Sequence, residues 1–240
     1  TNTIAQHGRR GANMQTLRVD HPDIQKFIEI KTGDVDMVKY SNISVFLTDD
    51  FMEAVQTESD FDLQWGGKVY ETVNAKDLWM KIIEHAHASA EPGLLFWDTM
   101  KKYHNAEYCS PLVSTNPCAE QPLPDGGCCN LGALNLERFV DDSGNFDFEG
   151  FRETTAVGAR FLDNVVDYNI DRHALEDQKQ NAINDRRVGL GILGLGDMLV
   201  KMGIKYDSDE ALEIIGKVME IHRDTAVSYT HLTLPTRDDV

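Results

Sequence analysis

The alternation of strand-like and helix-like segments constrains the fold of this chain more than any other feature. Short runs rich in β-branched residues, such as residues 43–47 and Val188–Leu193, predict buried strands. Between such runs lie longer segments with apolar residues at helical spacing, among them Ala75–Ser89 and residues 148–168. Parallel pairing suits this order, because a parallel crossover needs a connection of helical length. The sequence therefore predicts an α/β fold with largely parallel strands.

Composition narrows the classes of function. A net charge of -17 argues against a surface for nucleic acid or for an anionic membrane. A nucleotide substrate is still compatible, since helix N-termini and a few local cations can hold phosphate in an acidic protein. No apolar run approaches the ~18–20 residues that span a bilayer, and no signal-peptide pattern is present. Four cysteines in 240 residues are too few for a secreted disulfide framework. We expect a cytoplasmic protein with reactive thiols.

The two ends differ from the rest of the chain. The first residues lack a starting Met and are typical of a domain interior, which predicts an internal fragment. Residues 208–226 have the spacing of an amphipathic helix, but a β-branched, Pro-containing sequence begins at Val227. This last stretch resembles a translated sequencing adapter. We expect a native part at residues 1–226 and a non-native tail at residues 227–240, with a native strand ending at Pro235 as the alternative.

Residues 103–130 hold all four cysteines and four of the seven prolines, with little periodicity. A long irregular stretch inside a compact domain is usually functional. Within it, Asn116, Cys118 and Glu120 occupy alternate positions. An extended backbone, which Pro117 favours, would send their side chains to one side.

Such a trio combines a hydrogen-bonding amide, a nucleophilic or radical-carrying thiol, and a carboxylate that can act as a general base. The alternative is a cysteine packed as a small hydrophobe beside a surface Glu. Acyl transfer is a third interpretation, but it requires a histidine partner, and the spacing of His104 cannot place it in contact.

The sequence around this trio is similar to the finger loop of ribonucleotide reductase catalytic subunits. The resemblance covers about residues 4–226. It rests on several blocks in the family's order: Gly8-Arg9-Arg10-Gly11-Ala12-Asn13-Met14, His21-Pro22-Asp23-Ile24, Asn42-Ile43-Ser44-Val45, Asn116-Pro117-Cys118-Ala119-Glu120, Gly126-Gly127-Cys128-Cys129-Asn130-Leu131-Gly132-Ala133-Leu134-Asn135-Leu136 and Arg186-Arg187-Val188-Gly189-Leu190-Gly191. The resemblance implies a piece of a ten-stranded α/β barrel whose finger loop enters the barrel.

The resemblance also implies roles in the reduction of ribonucleotides to 2′-deoxyribonucleotides. Cys118 would become a thiyl radical that abstracts the 3′-hydrogen of the ribose. Glu120 would be the base on the 3′-hydroxyl, and Asn116 would hydrogen-bond the ribose hydroxyls. Cys129 would be one member of a redox dithiol whose partner is expected upstream of Thr1. Cys128 is the second choice for that member, since Cys129 directly precedes the Asn-Leu-Gly block.

Within the family, Glu120 and Cys129 favour the dithiol-reduced classes over the formate-reduced class. The loop is more similar to the adenosylcobalamin-dependent class than to the large subunit of the two-subunit class, although no cofactor-binding residue is identified. The resemblance implies a ribonucleotide substrate, deoxynucleotide or ATP effectors, a thioredoxin-like reductant and a homodimer. The loop beginning Lys31-Thr32-Gly33-Asp34 would link the effector to substrate choice, or would simply be an exposed loop.

Two interpretations from other classes remain. Gly189, Gly191 and Gly194 match G-x-G-x-x-G, which in a nicotinamide-dependent dehydrogenase would lie in a strand–turn–helix. A closely packed strand explains these glycines better, because they lie within the apolar run. A non-enzymatic α/β module would instead bury Cys118 as an inert residue. Zinc is not expected, since there is no C-x-x-C and adjacent cysteines cannot easily face one metal.

Overall fold

The computed structural model describes residues 11–32, 38 and 40–233, with side chains as far as Tyr229. The chain divides into two compact units, Thr1–Asp125 and Gly126–Val240. In chain order the first unit contains β1 (Asn13–Arg18), α1 (Ile24–Glu29), β2 (Ser41–Leu47), α2 (Asp49–Gln56), β3 (Asp60–Trp65), β4 (Lys68–Asn74), α3 (Ala75–Ser89), β5 (Gly93–Phe96), α4 (Trp97–Tyr103), β6 (Leu112–Thr115) and β7 (Pro122–Pro124).

A three-stranded parallel sheet, in the order β1-β2-β5, forms the centre of the first unit. The middle strand β2 is almost entirely buried, which agrees with its β-branched and aromatic sequence. One side of it packs against α1, α2 and α3 through a core that includes Ile24, Val45, Phe51 and Ile82. The predicted parallel arrangement is confirmed for this sheet, whereas β3 pairs with β4, and β6 with β7, in antiparallel pairs.

Local capping explains where the helices of this unit begin. The hydroxyl of Thr48 accepts a hydrogen bond from the Phe51 amide at 3.3 Å and starts α2. The side chain of Asn74 accepts from the amides of Lys76 and Asp77 and starts α3. Each cap removes donors that a helix start would otherwise leave unpaired.

The second unit contains β8 (Asn130–Asn135), α5 (Phe148–Asn169), α6 (Glu176–Asp185), β9 (Val188–Leu193), α7 (Leu195–Met202) and α8 (Asp209–Thr233). Strands β8 and β9 are parallel neighbours. Helix α5 packs against both strands, and α8 packs against α5. The core of this unit is built around Leu136, Phe151, Met198 and Val218.

Helix α8 bears on the predicted non-native tail. The helix continues to Thr233, so the alternative of a native β-strand across residues 227–233 is wrong. Residues 234–240 lie outside the described part of the chain, and the assignment of residues 227–240 to a non-native tail stays a prediction.

The arrangement of the strands agrees with the predicted class at the level of a mixed α/β protein. Within residues 11–32 and 40–233, one three-stranded sheet and three two-stranded sheets are formed, and none of these sheets closes on itself. None of the described helices is both long and apolar enough to cross a membrane.

Candidate active site

The predicted trio lies at the tip of a hairpin that the sequence did not predict. Strands β6 and β7 pair antiparallel, with Leu112 opposite Pro124 and Thr115 opposite Pro122. The segment between them, residues 116–121, carries Asn116, Cys118 and Glu120. These strands have only four and three residues, and β7 begins and ends with proline, so neither is long enough to show the alternation by which strands are recognised.

The backbone of this segment is a tight turn, and the expected extended conformation is wrong. The Ala119 amide donates to the Asn116 carbonyl at 3.0 Å, which closes a β-turn with Pro117 at its second position and Cys118 at its third. Ala119 then takes a left-handed conformation, with φ of 67°. The Asn116 amide donates to the Gln121 carbonyl at 3.1 Å. Alternation along a strand therefore does not explain how the three side chains are placed.

The side chain of Asn116 has a structural partner inside the loop. Its Oδ1 accepts a hydrogen bond from the Gln121 amide at 3.0 Å. The carboxamide oxygen thus helps to close the loop. A hydrogen bond to a substrate hydroxyl would then come from the Nδ2 group, which is a donor.

Contacts within the first unit hold this loop in place. The Nδ2 of Asn42, on β2, donates to the carbonyl of Pro117. Thr16 on β1 and Ser114 on β6 are joined by a hydrogen bond of 3.4 Å between their hydroxyls. Ala119 packs against a small apolar cluster formed by Phe46, Leu95, Trp97 and Leu112. Asn42 belongs to a block that resembles the family, but nothing in the sequence indicated its contact with the loop.

The Cys118 thiol and the Glu120 side chain are exposed. This exposure is contrary to the alternative in which Cys118 is a buried, inert hydrophobe. A thiol at the apex of an anchored turn is accessible to a ligand while its backbone is held by neighbouring elements.

The two adjacent cysteines lie directly before β8, in the second unit. Cys128 is exposed, whereas Cys129 is half-buried, and its thiol donates weakly to the Asn130 carbonyl at 3.7 Å. Both line a cavity of about 160 Å³ together with Arg187. Burial raises the pKa of both thiols, and Asp185 raises it further. The Arg187 guanidinium opposes this rise in the pKa of Cys129.

The start of the predicted effector loop is described only in part. Lys31 is nearly buried, forms an ion pair of 2.5 Å with Glu91 and donates to the Ser41 carbonyl. The Thr32 hydroxyl donates to the Glu29 carbonyl at 2.8 Å. Gly33 and Asp34 lie outside the described residues, so the role of the loop stays a prediction.

The glycine motif does lie in a strand–turn–helix, formed by β9 and α7. Gly189 and Gly191, however, belong to the paired part of β9, opposite Leu131 and Ala133. Only Gly194 lies at the turn, with φ of 73°. A dinucleotide fingerprint needs its first glycines in the turn itself, so this geometry does not support the dehydrogenase interpretation.

Among the described residues, no group of three or more His, Cys, Asp or Glu side chains could hold a metal ion.

Comparison with known proteins identifies one family over nearly the whole chain. Residues 1–232 match the family described as "Ribonucleotide reductase, barrel domain". A protein of Thermoplasma acidophilum named "Vitamin B12-dependent ribonucleoside-diphosphate reductase" is 40% identical over 227 residues, 93% of this chain and 29% of the relative. A Mycobacterium tuberculosis protein of the same name is 37% identical over 88% of this chain and 30% of its own length. A Streptomyces clavuligerus protein named "Vitamin B12-dependent ribonucleotide reductase" is 33% identical over 91% of this chain and 25% of its own length. The chain thus spans less than a third of these relatives.

Proposed function

The chain belongs to the ribonucleotide reductase barrel-domain family, and from this we propose that it carries part of the active centre of an enzyme that reduces ribonucleotides to 2′-deoxyribonucleotides. The observation that carries the proposal is the exposed Cys118 at the apex of the anchored β6–β7 turn, with Glu120 two residues further on. For the whole protein we propose the ten-stranded α/β barrel, of which this chain supplies a part.

At the reacting ribose, Cys118 acts as a thiyl radical. A hydrogen atom moves from C3′ to the Cys118 sulfur, and the Glu120 carboxylate accepts the proton of the 3′-hydroxyl. The Nδ2 group of Asn116 donates to a ribose hydroxyl while its Oδ1 keeps the loop closed. Anchoring of the turn by Asn42 and by the cluster under Ala119 supports this assignment, because radical transfer requires the sulfur at a fixed distance from the substrate.

The two reducing equivalents come from a dithiol to which Cys129 contributes one thiol. Two thiols lose two hydrogen atoms and form one S–S bond. One hydrogen replaces the 2′-hydroxyl on C2′, and the other leaves with that hydroxyl as water. The half-buried position of Cys129 beside Arg187 supports it over the more exposed Cys128. We propose that the other cysteine of this dithiol precedes Thr1 in the whole protein.

We propose adenosylcobalamin as the cofactor and a ribonucleoside diphosphate as the substrate, after the names of the relatives. Adenosylcobalamin supplies radical chemistry when bound. The described residues offer no metal-ligating cluster, and we assign none of them to the cofactor. The large subunit of a two-subunit reductase is the second candidate.

The remaining partners are proposals for the whole protein. They are deoxynucleotide or ATP effectors acting through the loop that starts at Lys31, a thioredoxin-like reductant and a second copy of the protein. The proposed location is the cytoplasm, and neither nucleic acid nor a membrane is a proposed partner. The excess of 40 Asp and Glu over 23 Lys and Arg argues against nucleic acid or an anionic membrane as a partner.

The test uses the full-length protein with adenosylcobalamin, a dithiol reductant and no added subunit. Cys118→Ser should abolish deoxynucleotide formation and leave nucleotide binding unchanged, because serine keeps the shape but cannot carry the radical. Cys109→Ser is the matched control, since Cys109 is an exposed cysteine of the same unit. Turnover by the Cys118 variant would refute the assignment. A wild-type protein that is inactive without an added subunit would favour the two-subunit class.

A further inference from the structure

Strands β8 and β9 bring three residues onto one face with Cys129. Asn130 pairs with Val188, so the residues just before the two strands, Cys129 and Arg187, are neighbours at the same end of the ladder. Residues two apart on a strand share a face. Leu131 therefore follows Cys129 on this face, and Gly189 follows Arg187.

Because Gly189 has no side chain, the sulfur of Cys129 can lie close to the backbone at position 189. A Cβ atom at position 189 would stand 3.3 Å from the Cys129 Sγ and 2.5 Å from Cδ2 of Leu131. The Leu131 side chain is 71% exposed and can turn into solvent, whereas the Cys129 side chain is half-buried. The neighbouring Gly191 is different, because a Cβ there would have only an ordinary contact, 3.8 Å from the Gly132 carbonyl.

Charge on the same face comes from a partly buried ion pair. Arg187 donates through Nε to the Asp185 carboxylate at 2.8 Å, and the two side chains are 15% and 13% exposed. Among the described residues, Cys128 and His173 line the same cavity as Cys129 and Arg187, and Asp185 raises the pKa of the Cys129 thiol. Arg187 is a basic group that favours the Cys129 thiolate.

We propose that Gly189 and Arg187 are positioning residues for the Cys129 thiol: Gly189 provides the space for the sulfur, and Arg187, its neighbour across the strand pair, stabilises the thiolate. This proposal rests on the redox role given to Cys129 above. Thiol–disulfide exchange proceeds through the thiolate, so both residues would control how readily Cys129 reacts with a dithiol reductant.

The glycine part is tested by alkylation of the full-length protein with iodoacetamide, with each cysteine followed by fragment-ion mass spectrometry. Gly189→Ala should slow the alkylation of Cys129 severalfold and leave that of Cys128 unchanged. Gly191→Ala, the matched control on the same strand, should leave both rates unchanged. Equal effects of the two substitutions, or no effect of either, would overturn the role of Gly189.

The arginine part is tested by the pH profile of the same reaction. Arg187→Gln should move the inflection for Cys129 to higher pH, because loss of the cation disfavours the thiolate, and Arg187→Lys should restore it. An unshifted profile in folded Arg187→Gln would refute the role of Arg187. If that variant fails to fold, an Arg187→Lys profile like that of the wild type supports the role and a shifted one refutes it. Alkylation needs no turnover, so it tests this proposal separately from the function that Cys118→Ser tests.

Discussion

Substitution can separate the roles of the two polar atoms of the Asn116 side chain, the oxygen Oδ1 and the nitrogen Nδ2. Asn116→Asp keeps an oxygen that accepts from the Gln121 amide, but it removes the Nδ2 donor. Asn116→Ala removes both. We expect the aspartate variant to keep the loop closed and to lose the hydrogen bond to the substrate hydroxyl, whereas the alanine variant should lose both.

The size of the effect on the loop follows from the 3.0 Å hydrogen bond. Loss of such a bond costs ~0.5–1.5 kcal/mol, which corresponds to a roughly twofold to thirteenfold increase in local opening. Hydrogen exchange of the loop peptide should therefore accelerate by about that factor in Asn116→Ala and stay near the wild-type rate in Asn116→Asp. Asn105→Ala, at an exposed position of the same unit, serves as the control.

The two substitutions at Asn116 should affect enzymatic activity differently from the order of the loop. Asn116→Asp removes a single hydrogen bond to a neutral hydroxyl. We therefore expect its kcat/KM to fall by about twofold to tenfold. The Asn116→Ala variant should lose more of its kcat/KM, because opening of the loop also displaces the Cys118 thiol. Exchange in the aspartate variant as fast as in the alanine variant would refute loop closure by Oδ1. Full activity of the aspartate variant would refute the donor role of Nδ2.

Two further predictions concern stability. The ring of Trp97 stacks on that of Phe46 in the cluster under Ala119, with 3.9 Å between the ring centroids. Trp97→Ala should therefore lower the free energy of unfolding of the first unit by ~3–5 kcal/mol, measured by denaturant unfolding. A loss below ~1 kcal/mol would contradict this packing. His222 is buried near Phe151, and burial lowers its pKa, so the unfolded chain binds the proton more readily than the folded one. Stability should therefore fall as the pH drops through the unfolded value of ~6.5, and His222→Gln should remove that part of the pH dependence.

Most elements of the fold were predictable because their signals are local. Helix α3 follows the predicted bounds Ala75–Ser89, and β9 follows Val188–Leu193. The β6–β7 hairpin was missed because both strands are short and β7 begins and ends with proline. The conformation of the loop was predicted incorrectly, since Pro117 is compatible with an extended chain and with the second position of a turn. Hydrogen bonds across the loop decide between them.

The sequence by itself determined the α/β class, the family resemblance and the identity of the candidate residues Asn116, Cys118, Glu120 and Cys129. These depend on residue type and spacing along the chain, which need no knowledge of distant contacts. The tertiary structure alone decided that the Cys118 turn is held by Asn42, and that Cys129 lies against Gly189 and Arg187. Those contacts join segments far apart in sequence, and strand register, which a local pattern does not contain, brings them together.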